Sequence, residues 1–191
     1  DFIKVCNLVK TFKNTRILQI GPRPFDFWSV IANEGELLEK FNISLSPVPL
    51  QELYQEMDKV KAEEAHEVEK IITYFKEHTI VEVKEEDLET ISVLTVALKN
   101  LADSYGCNAG TIQGWTALQD EIGILPYASI SYLQEIGLPF SVETDIHGAI
   151  TQLLAEAATM GAEKAMLVDV NCRHPEVENG ELIQHLGVCA L

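Results

Sequence analysis

A chain of 191 residues, 47% hydrophobic and 23% charged, can bury a sizeable core and has the make-up of a water-soluble globular protein. Fourteen basic against thirty acidic side chains leave a net charge of −16, which opposes binding to nucleic acid or to an anionic membrane. No apolar run approaches the ~18 residues that cross a bilayer, and no signal peptide opens the chain. Cys6, Cys107, Cys172 and Cys189 form no close pair, so neither a zinc knuckle nor a disulfide framework is expected and a reducing, cytoplasmic setting fits. The chain begins at Asp1 and closes on the apolar run Leu186 to Leu191, as expected of a piece of a longer protein.

Arg16 to Gly21 reads as a first strand, stopped by Gly21-Pro22-Arg23-Pro24. Phe27, Val30, Ile31, Leu37, Leu38 and Phe41 then recur at helical spacing and predict one buried helix face that ends near Asn42. Ile43 to Val48 alternates as a second strand, and Pro49-Leu50 opens a helix. Glu52 to Phe75 is acidic and helix-favouring, with Val68, Ile71, Ile72 and Phe75 as its apolar stripe; the run Lys61 to Glu69 is a solvated face. Asp87 to Tyr105 predicts a longer helix with Ile91, Leu94, Leu98, Leu101 and Tyr105 on one side, capped by Gly106.

The rhythm then quickens. Cys107 to Ile112 predicts a strand, Trp115 to Glu121 a short helix, Tyr127 to Ile136 a helix stopped by Gly137, and Pro139 to Val142 a strand. Ile146, Ile150, Leu153, Leu154 and Ala157 mark the inward face of the next helix. Ala165 to Val170 predicts another strand, and Glu181 to Cys189 the last one, after a loop with His174-Pro175 and Asn179-Gly180. Alternating strands and helices predict an α/β fold, a mainly parallel sheet flanked by helices in Rossmann-like fashion. Residues 1–191 are expected to form one such domain, with a following domain starting near 175–191.

Two acids fall at the ends of apolar segments, Glu121 in Gln119-Asp120-Glu121 and Asp145 in Glu143-Thr144-Asp145. Carboxylates brought together there repel unless a proton or a cation lies between them, which makes a metal site the first hypothesis. Asp145 follows a strand and precedes a helix, so it is equally suited to cap that helix. Glu121 next to Gly123 is also compatible with a surface helix end. Gln113, Trp115 and Gln119 supply the amide and aromatic groups a sugar cleft uses. Glu143 would share a face with Asp145 on an extended segment, whereas Asp120 points away from Glu121.

Among the histidines, His185 in the apolar run Leu182 to Leu186 is either a core group or a third metal ligand. His147, in the first turn after Asp145, is a candidate substrate contact; His66, His78 and His174 read as solvated. Gly21-Pro22-Arg23-Pro24 occupies the place of a phosphate-binding turn. Its two prolines remove N–H donors, and the glycine pattern of a dinucleotide site is missing, so NAD is not expected. Arg23 either anchors an anionic group or pairs internally.

Taken in order, Ile20-Gly21-Pro22-Arg23-Pro24 with Asn33-Glu34, Gln113-Gly114-Trp115, Gln119-Asp120-Glu121, Glu143-Thr144-Asp145 with Gly148-Ala149, and more weakly Asn179 to Leu182 with His185, resemble the L-fucose isomerase family and related sugar isomerases. The similarity covers most of residues 16–188. It implies the middle region of a longer three-domain enzyme that interconverts aldoses and ketoses with a divalent cation, Mn2+ or another such as Mg2+. It further implies that Glu121 and Asp145, 24 residues apart, are metal ligands, with a histidine as third ligand, the role for which His185 is the candidate here; the chemistry of an ene-diol would let the same two carboxylates shuttle the proton. The same resemblance implies a homo-oligomer, a trimer or hexamer, with a small sugar as substrate. Two other classes are compatible with the residues: a metal-free glycoside hydrolase using the two carboxylates as acid and base, and a non-catalytic sugar-binding or assembly module.

Overall fold

The computed structural model describes residues 1–184. Four strands, β1 (Arg16–Ile20), β2 (Ser44–Val48), β3 (Ala109–Ile112) and β4 (Phe140–Val142), form a sheet in the order β2-β1-β3-β4 with every pairing parallel. This is the α/β architecture the alternating pattern predicts. Pro47, which has no N–H to donate, lies in β2, whose one partner strand among the described residues is β1.

Side chains alternate between the two faces. Leu18, Ile20, Val48, Ile112, Phe140 and Val142 join the larger core, covered by α3 (Leu50–Glu63), α4 (Ala65–His78), α5 (Glu85–Tyr105) and α7 (Tyr127–Glu135). Ile17 and Ala109 face the smaller core with Leu37 of α2 (Glu34–Phe41) and Ile146, Ala149, Ile150 and Leu153 of α8 (Ile146–Ala158). Helix α5 runs 21 residues and buries ten of them, with Glu85, Glu86 and Asp87 in its first turn, where acids favour the helix dipole. Gly106 caps it at φ +63°, as its sequence position predicts.

Close packing inside the sheet depends on one missing side chain. A Cβ on Gly110 would lie 2.3 Å from the Phe140 ring, so β3 carries glycine where the aromatic ring of β4 lies over it.

Several expectations need correction. The apolar residues from Phe27 to Phe41 do not make one buried helix face. Trp28–Val30 form a 3-10 turn, and α2 starts only at Glu34, because the Asn33 side chain accepts the Glu36 N–H at 3.1 Å and sets the helix start there. Leu37 alone of that helix is buried, and Trp28, Ile31, Leu38 and Phe41 are exposed. The acidic, helix-favouring stretch from Glu52 to Phe75 is helical, as two helices that meet at Glu64. Residues 165–168 are not a strand; β5 (Asp169–Arg173) instead pairs antiparallel with β6 (Glu181–Gln184) as an exposed two-stranded ribbon separate from the main sheet. Helix α1 (Phe2–Lys13), for which the sequence analysis made no prediction, packs on α8, and its Asn7 amide donates to the Ala157 carbonyl at 2.8 Å.

Candidate functional site

Between β1 and β3 the chain order changes direction, since β1 connects to β2 on one side and later elements return to β3 on the other. Open α/β sheets place ligands outside the carboxyl ends of the strands at such a point. Three segments meet there: residues 21–27 after β1, residues 113–116 after β3 and residues 143–145 after β4.

The backbone fastens these segments to one another. Gln113 N–H donates to Ile20 O at 2.9 Å, Thr144 N–H to Ile112 O at 3.4 Å, and the Thr144 hydroxyl to Pro22 O at 3.1 Å. Gly21, at φ +76°, has no room for a side chain, because a Cβ would lie 2.8 Å from Gln113 Oε1. Arg23 resolves to an internal role: its Nη1 donates to the carbonyls of Pro24, Phe25 and Phe27 at 2.8 to 3.1 Å, and the guanidinium lies 5.5 Å from the Trp28 ring centroid. It shapes the turn after β1.

Asp145 caps α8. Its Oδ1 accepts the Gly148 N–H at 2.9 Å, which realises the capping role its position suggested. Its Oδ2 makes no hydrogen bond among the described residues and lies where a Cβ on residue 148 would approach to 2.5 Å, so glycine there leaves the carboxylate its space. Asp145 and Glu143 line a cleft of about 170 Å3 with Phe27, Ser29, Val142 and Asp169. Larger clefts of about 310 and 360 Å3 lie over α4 and α5, away from these loops. Their cations are already engaged, Lys99 with Asp103 at 2.6 Å and Lys70 with Glu67 at 2.7 Å.

Glu121 lies exposed in α6 (Ala117–Ile122), just before the left-handed cap Gly123. Its charge reaches Tyr54 of α3, whose hydroxyl is pushed above the usual tyrosine range first by burial and then by Glu121. Trp115 is 45% exposed in the turn before α6, and its indole N–H donates to the Tyr127 hydroxyl at 3.4 Å. Gln113 Nε2 donates to Trp115 O at 3.2 Å, while Gln113 Oε1 is buried without a partner. His147 is exposed in the first turn of α8, whereas His174 Nδ1 accepts the N–H groups of Glu176 and Val177 and is half-buried rather than solvated. His185 lies outside the described residues. Among the described residues, no three His, Cys, Asp or Glu side chains are grouped so as to hold a metal ion.

The residue that sequence analysis placed too low is Glu143. It is not extended: Glu143 has φ +60° and Thr144 φ +55°, two successive non-glycine residues in the left-handed region. The residue is 9% exposed, and burial lifts the carboxyl pKa to about 7, opposed by the Trp115 backbone, which lowers it. Oε2 has no partner. The signal in the sequence was its place between a strand end and Asp145, but an extended segment was assumed there.

No protein-family model matches the chain. Over 189 residues, 98% of the chain, it is 28% identical to proteins named sulfoquinovose isomerase from Priestia aryabhattai and Priestia megaterium. A third protein of that name, from Alkalicoccus urumqiensis, is 25% identical over 193 residues. The chain resembles sugar isomerases. It spans about 41% of the length of the Priestia relatives. The similarity supports the sugar-isomerase resemblance in its broad form, and the aligned region takes in all three carboxyl-edge segments.

Asp145 Oδ2 has room beside a glycine, and the Glu121 carboxylate is exposed in α6; among the described residues the two are not grouped with a third His, Cys, Asp or Glu. Hard oxygen donors of this kind are what Mn2+ and Mg2+ take.

Proposed function

We propose that the protein is an aldose–ketose isomerase of the L-fucose isomerase type, acting on an open-chain sugar through an ene-diol. The observation that carries this is the similarity to curated sugar isomerases over 98% of the chain. In this reading Glu121 and Asp145 hold a divalent cation, Mn2+ or Mg2+, with His185 as the candidate third ligand. A bound cation supplies Lewis acidity that stabilises negative charge on two neighbouring sugar oxygens.

The remaining work falls to side chains. Isomerisation takes the proton from C2 of the aldose and returns one to C1 of the ketose, while the hydroxyl proton moves between O2 and O1. Glu121 and Asp145 are acid–base groups suited to those transfers. Gln113 offers an amide to sugar hydroxyls, Trp115 an apolar ring to C–H faces, and His147 a further polar contact at the start of α8. The relatives' name nominates sulfoquinovose as the first sugar to test. We include in the proposal a cytoplasmic homo-oligomer, trimer or hexamer.

Incubating the protein with sulfoquinovose, L-fucose and L-arabinose in D2O with Mn2+ is the test. The expected result is ketose carrying deuterium at C1 from one of these sugars, abolished by chelation and by Glu121→Gln. Turnover that survives chelation, or product with no solvent deuterium, would replace this mechanism with a metal-free one or with hydride transfer.

A further inference from the structure

Glu143, with its neighbour Thr144, combines three costly features. Its side chain is withdrawn from water with Oε2 unpartnered, which leaves a desolvated acceptor uncompensated. Its own backbone and that of Thr144 are both left-handed, which non-glycine residues rarely adopt. Costs of this kind persist where surrounding contacts over-determine the conformation, and they collect at functional sites.

The contacts show what is gained. The backbone of Trp115 lies beside the Glu143 carboxyl and opposes the rise in its pKa. Glu143 Oε1 comes so close to Gly114 that a Cβ there would lie 3.2 Å away. Trp115 O in turn accepts from Gln113 Nε2. Two residues on from Glu143, Asp145 caps α8; six residues on from Trp115, α6 carries Glu121. The Thr144 hydroxyl secures the same turn to Pro22.

We propose that Glu143 is a positioning residue that ties the turn at residues 113–116, and through it the helix bearing Glu121, to the turn bearing Asp145, so that the two carboxylates are presented together. This rests on the isomerase reading for its purpose but on the Gly114 and Trp115 contacts for its geometry. Glutamine keeps the size and an acceptor oxygen of glutamate at this position.

The chain has two tryptophans, so a Trp28→Phe background leaves Trp115 as its one indole reporter. In the full chain on that background, Glu143→Ala is expected to raise acrylamide quenching of Trp115. It should also weaken Mn2+ binding, followed by the electron paramagnetic resonance of free Mn2+, by ~10–100-fold, the usual loss when a group that orients a metal ligand is removed. Glu143→Gln should retain both properties. Gly114→Ala, which crowds Oε1 from the other side, should reproduce the loss, and its effect should vanish once Glu143 is alanine. If Glu143→Ala does not fold, Gly114→Ala against Glu143→Gln decides alone. Unchanged Trp115 quenching and Mn2+ affinity in both Glu143→Ala and Gly114→Ala would overturn the proposal. A parent protein that binds no Mn2+ would overturn the isomerase reading instead, and Trp115 quenching would then decide the tie between the turns by itself.

Discussion

At the scale of single residues, the carboxyl edge holds two acids two positions apart whose surroundings push them to different tasks. Asp145 lies at a helix N-terminus and accepts a backbone N–H, which commits one of its oxygens to capping α8. Glu143 is enclosed, and burial raises its pKa from 4.5 to about 7. A carboxyl whose folded pKa is raised binds its proton more tightly in the native state. Its contribution to stability is therefore complete below the unfolded value near 4.5 and is lost as the pH rises through about 7. Glutamine at this position mimics the protonated form. In metal-free buffer, the stability of Glu143→Gln relative to the parent should rise between pH 5 and pH 8 by about 2 kcal/mol, at ~1.4 kcal/mol per pKa unit. Urea unfolding at the two pH values measures this, and an equal difference at both would mean that Glu143 is not desolvated.

The elements show where local pattern was sufficient and where it was not. Helices α5 and α8 and strands β1 and β2 were legible because their apolar period is long or sharply punctuated: Gly106 after α5, Gly21 after β1, Asp145 before α8. The face predicted across Phe27 to Phe41 failed because spacing alone cannot see that Pro22 and Pro24 precede it or that Asn33 resets the helix start. The 165–170 strand holds only at Asp169 and Val170, for a related reason: a short apolar run is equally compatible with a loop segment. There the Gln134 side chain donates to Ala165 O and to Glu156 Oε1, and pairing starts only at Asp169.

Gly110 tests the packing of the elements. Its replacement by alanine would put a Cβ 2.3 Å from the Phe140 ring and force β3 and β4 apart. Overpacking of this kind costs ~1–3 kcal/mol, read as a lower urea midpoint at unchanged slope. Pairing the change with Phe140→Leu should recover part of the loss, because the clash is with that ring; no recovery would place the strain elsewhere.

For the molecule as a whole, the proposed function rests on a likeness to sugar isomerases that runs through three turns gathered at the point where the sheet order reverses. The acidic candidates were legible in the sequence because Glu121 and Asp145 end apolar segments. Their setting was not, because the closeness of Gly21 to Gln113 and of Gly114 to Glu143 is a long-range contact with no local signature. Glu143, Asp145 and Asp169 give the cleft an acidic lining, in keeping with the excess of acid over base in the chain.

Mn2+ titration of the parent protein, Glu121→Gln and Asp145→Asn, followed by the resonance of the free ion, bears on this directly. Asparagine caps a helix about as well as aspartate, so Asp145→Asn leaves α8 intact while removing a charged ligand. One saturable site in the parent, weakened at least ~10-fold by either substitution at unchanged melting temperature, is the expected result. Equal affinity in all three proteins would mean that Glu121 and Asp145 do not share a metal ion.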